Sequence, residues 1–394
     1  MKKILVISQG FWPEIFPINT IIDKLSENDF KIDVLTGYPN YPKGKFFSGY
    51  NPYKITINKK KKYKIFRVPI ISRGINSKVR IILNYISFIF SSIIFGSFFL
   101  RKEKYELIIV YATSPIFQAY IGIFFKYFKK AKLITWVQDL WPNVLRDTGI
   151  VRNKLILKII KIFVKKIYDS NDLILSQSNS FRKDIKKITK TKVSVMYNPG
   201  YSEKKIIKPK FNKKINILYA GNIGNAQPWE TLINFLNSEK YKMVNLTICG
   251  DGQKYNYIKN FIKKNKLRNI MLKGFVKEKN LEKQYKKNNY LLLMLKSGKD
   301  LNKTIPSKFQ TYLFYKKPII ALCDGEVYNF IKNFNLGFVS KINNKKTISE
   351  IFKRVLLLKE KNYNKIVKNT EKFYVNNFSQ KTINDKLKNE LFKI

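Results

Sequence analysis

The sequence contains no histidine and only two cysteines, Cys249 and Cys323, among its 394 residues. Without histidine, an imidazole general base and a histidine-ligated metal site are both excluded. The two cysteines do not form a C-x-x-C pair, so the zinc and redox motifs built on that spacing are excluded as well. This cysteine usage fits a reducing compartment, and we expect a cytoplasmic protein.

Acidic residues are also scarce, since 26 of them stand against 77 lysines and arginines and give a formal net charge of +51. Only nine of the basic residues are arginine. Because arginine is favoured for bidentate contacts to bases and phosphates, specific recognition of nucleic acid is not expected. The excess of lysine follows from a general bias toward lysine, isoleucine and asparagine, and attraction to an anionic membrane is its physical consequence.

A long apolar run is missing everywhere except at residues 79–100. Met1, Lys2 and Lys3 lead directly into a short strand, so no signal peptide is expected. The run at 79–100 is long enough for a membrane-spanning helix of ~20 residues. It lies between segments predicted to be strands of one sheet, which favours a helix partly buried and partly laid on the membrane surface. A spanning helix is the alternative.

Strand-like apolar segments alternate with helix-like segments along the chain, which predicts an α/β fold with parallel sheets covered on both faces. The pattern restarts after an Asn-Pro-Gly turn and a lysine-rich stretch. We therefore expect two Rossmann-like domains facing across a cleft, where open α/β sheets bind ligands. The predicted boundaries are 1–198 for the first domain, 199–214 for a linker, 215–376 for the second domain and 377–394 for a C-terminal helix that packs back on the first domain.

Three glycine loops follow predicted strands of the second half. Such loops let the backbone approach a ligand, and the helix N-terminus that follows can receive an anion. Each loop alone is equally typical of a tight turn, but three on one sheet edge suggest a surface for a nucleotide and a sugar. Their candidate binding residues are Gly221, Asn222, Gly224, Gly250, Asp251, Gly252, Asp324, Gly325 and Glu326.

The stretch 304–321 contains a Pro-Ser-Lys sequence where a helix is predicted to begin. Pro306 suits the first helical turn, so Ser307 and Lys308 would point from a helix N-terminus. Free N–H groups together with a lysine ammonium form a diphosphate site in physical terms. In a chain this rich in lysine, a surface lysine without any function is the competing interpretation of Lys308.

Loops after strands of the first half are candidates for holding a second substrate. Asp139 ends a predicted strand beside two tryptophans, and it either caps the following helix or faces the ligand. Glu14 lies among aromatic residues and prolines, and Ser114 precedes a proline that starts a helix. The tyrosine-rich loop 37–44 is suited either to stacking on a sugar or to local packing.

In order along the chain, YPNYPKG, TSP, WVQDLWP, AGNIG, GDG, PSK and DGE resemble motifs of bacterial retaining glycosyltransferases of the GT-B fold, family 4. The WbuB-like subgroup of capsule and O-antigen fucosamine transferases is the most similar. The resemblance implies that a UDP-sugar binds the C-terminal domain and a lipid-linked saccharide acceptor binds the N-terminal one. It implies no metal and no cofactor beyond the donor, with leaving-group-assisted attack that retains the anomeric configuration.

The resemblance further implies transfer of an N-acetylated amino sugar in capsule, O-antigen or exopolysaccharide biosynthesis, by a protein bound peripherally to the inner face of the plasma membrane. The chain departs from the family at Asn222, where many members have arginine, and at Thr311, which replaces a glutamate. The resemblance therefore implies that Lys308 neutralises the charge of the phosphates, and Lys303 is a second candidate for this role. The expected catalytic residues are Lys308, Asp139 and Glu14, and Ser307, Lys308 and Thr311 join the expected donor-binding set.

Two other classes of function remain open from the residues alone. A sugar-nucleotide epimerase can share the two-domain fold, but it would be expected to use histidine among its acid–base groups. A non-catalytic, basic membrane-binding protein would need only the charge. Protection of the fold by UDP-sugars or by polyanions discriminates between these possibilities.

Overall fold

The computed structural model describes residues 1–27, 30–52, 56–60, 62–75, 77–147, 149–200, 209–238, 241–296, 298, 301–341 and 345–394. The chain divides into two compact units, one made of Met1–Asn198 with Ile383–Ile394 and the other of Pro199–Thr382. Most of the predicted linker, residues 201–208, lies outside the described residues.

The first unit is built on a sheet with the order β3-β4-β2-β1-β5-β6-β7-β8, in which β3 alone runs antiparallel to its neighbour. Its central strands are almost wholly buried because helices cover both faces, as expected for parallel sheets. The strands are β1 (Lys3–Ile7), β2 (Lys31–Gly37), β3 (Thr56–Lys60), β4 (Tyr63–Val68), β5 (Leu107–Ala112), β6 (Lys132–Val137), β7 (Leu173–Ser176) and β8 (Val193–Val195). The helices are α1 (Pro17–Leu25), α2 (Lys78–Leu100), α3 (Ala119–Lys129), α4 (Asn143–Asp147), α5 (Lys154–Asp169) and α6 (Asn179–Lys186).

Right-handed crossovers divide the helices of this unit between the two faces of its sheet. The connection from β1 to β2 places α1 on one face, whereas the connections from β4 through β8 place α2, α3, α5 and α6 on the other. The two buried clusters follow this division. Ile383, Leu387 and Leu391 of the C-terminal segment belong to the cluster that contains α1.

Helix α2 packs on its unit from Asn84 to its end. Its buried residues recur every four positions and form one stripe, namely Asn84, Phe88, Ser92, Gly96 and Leu100. At Gly96 an added Cβ would lie 2.9 Å from Phe125 Cζ and 3.1 Å from Leu35 Cδ2, so only glycine allows this close approach. By length and composition alone α2 could cross a membrane, and it is the one helix among the described residues that meets that test.

The second unit is built on a parallel sheet with the order β11-β10-β9-β12-β13-β14. The strands are β9 (Ile215–Ala220), β10 (Val244–Cys249), β11 (Ile270–Gly274), β12 (Tyr290–Met294), β13 (Ile319–Leu322) and β14 (Gly337–Ser340). The helices are α7 (Trp229–Leu236), α8 (Tyr255–Lys264), α9 (Glu278–Lys287), α10 (Ser307–Phe314), α11 (Gly325–Asn333), α12 (Lys345–Leu356), α13 (Glu360–Asn377) and α14 (Gln380–Phe392), the last of which continues into the first unit.

The α/β fold with two Rossmann-like sheets is confirmed. The chain winds outward from β9 to β11 and then returns to the other side of β9 for β12 to β14, so the order reverses beside β9. Ligands of open α/β sheets bind outside the carboxyl ends of the strands at such a reversal. In this unit the predicted glycine loops occupy that position.

Candidate functional site

The loops after β9 and β10 contact each other backbone to backbone. Gly221 donates its N–H to the Cys249 carbonyl at 2.9 Å, and an added Cβ at Gly250 would lie 1.9 Å from the Gly221 carbonyl oxygen. Gly252 is equally confined, because an added Cβ would lie 2.7 Å from the carbonyl oxygen of Ile223. All three glycines have φ between +135° and +152°, a region that L-residues with side chains rarely adopt.

Hydrogen bonds hold this double loop in one shape. Ile223 donates its N–H to the Asp251 carbonyl at 2.8 Å, which joins the loops a second time. Gly224 donates its N–H to the side chain of Gln227 at 2.9 Å, just before α7 begins. The Tyr219 hydroxyl donates to the Asn222 carbonyl at 2.6 Å. The loops therefore present a fixed backbone surface before any ligand is bound.

Lys308, the second residue of α10, reaches this surface. Its Nζ donates to the Tyr219 hydroxyl at 2.5 Å and lies 4.2 Å from the centroid of the Tyr219 ring. An added Cβ at Gly221 would lie 2.2 Å from Lys308 Cε, so the missing side chain makes room for the lysine. Burial lowers the pKa of Lys308 to about 8. A cation that is costly to keep desolvated has much to gain from an anionic ligand.

Helix α10 begins at Ser307, directly after Pro306. The Ser307 side chain is exposed, and the hydroxyl of Thr311 donates to the Ser307 carbonyl at 3.1 Å within the helix. Tyr312 fixes the helix to the sheet, because its hydroxyl donates to the Leu292 carbonyl at 3.0 Å and accepts from the N–H of Ala220 at 3.3 Å. The start of α10 is thus held beside the loop that follows β9.

The third glycine loop, after β13, packs on a short turn at Leu301–Lys303. Gly325 has a φ of +75°, and an added Cβ there would lie 2.0 Å from the Asn302 carbonyl oxygen. Asp324 is half-buried and Glu326 is buried. This loop therefore borders the segment that leads into α10.

The structure brings Lys308 together with Gly221, and it brings Gly221, Asn222, Gly250 and Gly252 together through the double loop. Two residues of this arrangement were missed by sequence reasoning, Tyr219 and Tyr312. Tyr219 lies in β9 and supplies both the ring and the hydroxyl that contact Lys308. The one feature of the sequence that could have indicated a role for Tyr219 is its position two residues before Gly221. The rest of that strand has the apolar sequence of a core strand.

In the first unit, Asp139 connects two neighbouring strand ends. Its carboxylate accepts the N–H of Ser114 at 3.1 Å and the hydroxyl of Ser114 at 2.7 Å. The Trp141 indole N–H in turn donates to Ser114 Oγ at 3.1 Å. These contacts join Asp139 to the loop that follows β5, while capping of the following helix and contact with a ligand both stay predictions for this residue.

Glu14 is 4% exposed, and its carboxylate accepts the N–H groups of Asn40 and Tyr41, each at 2.6 Å. Burial raises the pKa of Glu14, while those N–H donors and the charge of Arg67 oppose the rise. The carboxylate holds the loop at residues 37–44 in place. This geometry favours a positioning role for Glu14 over direct contact with a substrate.

The loop that contains Pro13 and the segment 43–50 border a pocket of about 680 Å³. Its lining combines cationic and aromatic side chains, including Lys43, Lys45, Phe46, Phe47 and Tyr50. Within the ranges that the structure describes, no group of three or more acidic or cysteine side chains could hold a metal ion.

Part of the second unit is similar to a known protein family. Residues 201–373 match the family described as "Glycosyl transferases group 1". No curated protein matches the sequence.

Solved structures match the fold over the whole chain. Sucrose-phosphate synthase from Thermosynechococcus elongatus has a TM-score of 0.72 at 13% identity, with 100% of each chain covered. Anabaena HepE in complex with UDP has a TM-score of 0.66 at 13% identity, again with 100% of each chain covered. The lipopolysaccharide outer core galactosyltransferase WaaB has a TM-score of 0.67 at 15% identity, with 99% of each chain covered.

These likenesses show a GT-B fold, and the group 1 match falls on the unit that carries the glycine loops and Lys308. The WbuB-like subgroup is not distinguished by these comparisons. The family match covers less than half of the chain, and the solved structures show its fold.

Proposed function

We propose that this protein is a retaining, metal-independent glycosyltransferase that moves a sugar from a UDP-sugar to a lipid-linked saccharide. The observation that carries the proposal is the contact of Lys308 with the Gly221 loop at the start of α10. It sets one ammonium group, one helix N-terminus and a glycine backbone surface side by side. Each of these favours an anionic diphosphate.

The chemical demand of the reaction is charge stabilisation on the departing diphosphate. As the bond from the anomeric carbon to the phosphate oxygen breaks, negative charge grows on that oxygen, and Lys308 is positioned to stabilise it. The departing phosphate oxygen accepts the proton of the attacking acceptor hydroxyl on the same face of the sugar, which retains the configuration. In this proposal Lys308 and the α10 N-terminus supply the positive charge that a metal ion supplies in other transferases.

The acceptor is proposed to bind the first unit, at the pocket that Lys43, Lys45 and Phe46 help to line. Aromatic side chains stack on sugar rings, and lysines attract the phosphate of a lipid carrier. Asp139 and Glu14 then act by fixing the loops at the carboxyl ends of β6 and β1.

The finer assignments rest on the resemblance of the motifs. The transferred group is assigned as an N-acetylated amino sugar of the fucosamine type. The pathway is assigned as capsule, O-antigen or exopolysaccharide biosynthesis. The HepE complex with UDP supports the choice of a uridine donor. We place the protein at the inner face of the plasma membrane, where a lipid-linked acceptor would be available.

The experiment that tests the function incubates the purified protein with a panel of UDP-sugars and lipid-linked saccharides and identifies products by mass spectrometry. We expect one acceptor to gain the mass of one sugar with release of UDP, and the new linkage to keep the donor's anomeric configuration by NMR. Lys308→Met should lower turnover by about 100-fold or more, because the developing charge loses its cation. Lys316→Met, which removes a lysine paired with Glu371 beyond the other end of α10, is the matched control.

Two results would contradict the proposal. Release of an epimerised sugar nucleotide without any acceptor would assign the protein to the epimerases. Failure of every UDP-sugar to raise the melting temperature, while anionic polymers raise it, would assign it to non-catalytic binders.

A further inference from the structure

The outer surface of α2 is apolar from Ile82 to Phe98. Opposite its buried stripe, exposed apolar side chains recur at helical spacing, with Phe90, Ile94 and Phe98 each 62% exposed. The row also includes Val79, Ile82, Leu83 and Ile86. At 1.5 Å per residue this row is roughly 29 Å long. An exposed apolar row of this length in a protein of this composition marks an interaction surface.

Helix α5 presents a second apolar row to solvent. Its exposed apolar residues follow the i, i+1, i+4, i+7, i+8 spacing of one helix face, and they are Leu155, Ile156, Ile159, Ile162 and Phe163. The residues of α5 that pack into the core lie elsewhere on the helix, namely Val164, Ile167 and Tyr168. The helix therefore carries one apolar side for its own unit and another that its unit leaves uncovered.

Helix α3 lies between α2 and α5 on the same face of the sheet and connects the two rows. Phe125 of α3 packs against Gly96, and the Tyr120 hydroxyl donates to the Phe163 carbonyl at 3.3 Å. Tyr127 and Phe128 add exposed rings at the end of α3. We call the outward apolar side chains of α2, α3 and α5 the apolar face.

Basic side chains border the apolar face. On α5 the exposed lysines Lys154, Lys158, Lys161 and Lys165 form a row beside the exposed apolar one. Lys78 and Arg80 begin α2, and Arg101 and Lys102 follow its end, all of them exposed. The Arg101 guanidinium also lies 5.0 Å from the Phe98 ring centroid, so cation and apolar row are in contact.

We propose that the apolar face is a membrane-docking surface that inserts α2 and α5 side by side into one leaflet of an anionic lipid bilayer. Apolar side chains on one side of a helix with lysines along its edge are suited to the boundary between acyl chains and anionic headgroups. Helix α2 lies in the membrane plane, because a spanning orientation would expose to lipid the stripe from Asn84 to Leu100 that packs on the sheet.

A second copy of the chain fits this face less well. A symmetric pair would bring the lysine rows of two α5 helices close together, and like charges there repel. An anionic bilayer meets the same lysines with opposite charge. The proposal deepens the proposed function, since it names the surface at which a lipid-linked acceptor would be reached, yet it rests on the first unit alone.

Vesicle co-sedimentation of the full-length protein tests the face. We expect binding to phosphatidylcholine vesicles that contain phosphatidylglycerol, and a loss of affinity of about tenfold or more for Ile159→Glu with Ile162→Glu, because two inserted side chains become charged. Phe275→Glu with Leu357→Glu is the matched control, since these side chains are each 80% exposed in the second unit. An equal loss in both double variants would overturn the proposal.

Two further measurements keep the outcomes separate. The wild type could instead form a dimer in solution that Ile159→Glu with Ile162→Glu dissociates, and fail to bind vesicles. This result would overturn the proposal and show that the apolar face binds a second copy of the chain. A melting-temperature shift by UDP-sugars in the absence of lipid reports on the donor site alone. If UDP-sugars do not shift the melting temperature, the proposed function is contradicted, while the proposal that the apolar face docks on a membrane is unaffected.

Labelling at single cysteines tests the in-plane orientation. Both native cysteines are buried, so a thiol introduced by Ile82→Cys, Phe90→Cys or Phe98→Cys is the accessible one for a fluorophore. Quenching by brominated lipids should report a similar shallow depth at all three positions. A deep Phe90→Cys label between two shallow ends would show a spanning helix and overturn the proposal.

Discussion

The contact between Lys308 and Gly221 shows how a common residue becomes a specific one. Lysine is abundant in this chain, and many lysine side chains are exposed. Lys308 instead lies against a tyrosine ring and a glycine, where burial lowers its pKa. A ligand that brings negative charge would restore the stability of the protonated form.

This pKa makes the donor affinity dependent on pH. Lys308 is protonated below its pKa of about 8 and loses its charge as the pH rises through that value. Because an anionic UDP-sugar favours the charged form, donor affinity should be full below that pH and fall above it. A lysine with the ordinary pKa of 10.5 would keep its charge over this range.

Calorimetric titration of the donor over a pH series that brackets this pKa is the measurement. Lys308→Met should bind the donor weakly and without a pH-dependent fall near that value, whereas Lys316→Met should behave as the wild type. The same fall in Lys308→Met would assign the titration to another group and remove Lys308 from the donor site.

Much of the donor loop could be predicted from sequence, because glycines after apolar strands constrain the backbone wherever they occur. Lys308 could be predicted as well, through the Pro-Ser sequence before it. The partner Tyr219 could not, since an aromatic residue in a buried strand is far more often part of the core. Glu14 was predicted as a catalytic group, and only the structure places its carboxylate on the N–H groups of Asn40 and Tyr41.

At the scale of elements, α2 is the part of the chain that sequence left most ambiguous. Composition makes it long and apolar enough to span a bilayer. Asn84, Ser92 and Gly96 interrupt its apolar sequence, but only the packed structure shows that they lie on one buried stripe. The edge strands β3 and β14 were missed because each is short and has little uninterrupted apolar sequence.

The packing of α2 predicts the effect of a substitution at Gly96. Gly96→Val should destabilise the protein by about 1–3 kcal/mol, because the added methyl groups overlap Phe125 and Leu35. Ile94→Val in the same helix should change stability by less than about 0.5 kcal/mol, since its side chain is exposed. Urea unfolding followed by circular dichroism measures both. A Gly96→Val protein as stable as the wild type would mean that α2 does not pack on the sheet in solution.

At the scale of the whole molecule, alternation of strands and helices was enough to predict two α/β units. The apolar spacing of α14 does not specify which sheet it covers, so the predicted return of the C-terminal helix to the first domain did not follow from this alternation alone. The residues that belong to the first unit begin at Ile383, six residues beyond the predicted 377. The net charge is likewise a property of the entire chain, and its effect depends on where a partner approaches.

The charge of +51 and the apolar face predict two separable contributions to membrane binding. Electrostatic attraction between the basic chain and phosphatidylglycerol weakens with salt, since the screening length falls from about 10 Å at 0.1 M to about 3 Å at 1 M. Apolar insertion does not weaken in this way. Wild-type binding to the anionic vesicles should therefore fall steeply with added sodium chloride and then level off at a residual affinity.

Ile159→Glu with Ile162→Glu should show the same initial fall but no residual binding, because it keeps nearly all of the basic charge and loses the inserted side chains. Phe275→Glu with Leu357→Glu, which changes the net charge equally, should keep the residual binding of the wild type. Co-sedimentation over a salt series measures all three proteins. Wild-type binding that vanishes in high salt would show that charge alone attracts the protein to the bilayer, and that the apolar face stays outside it.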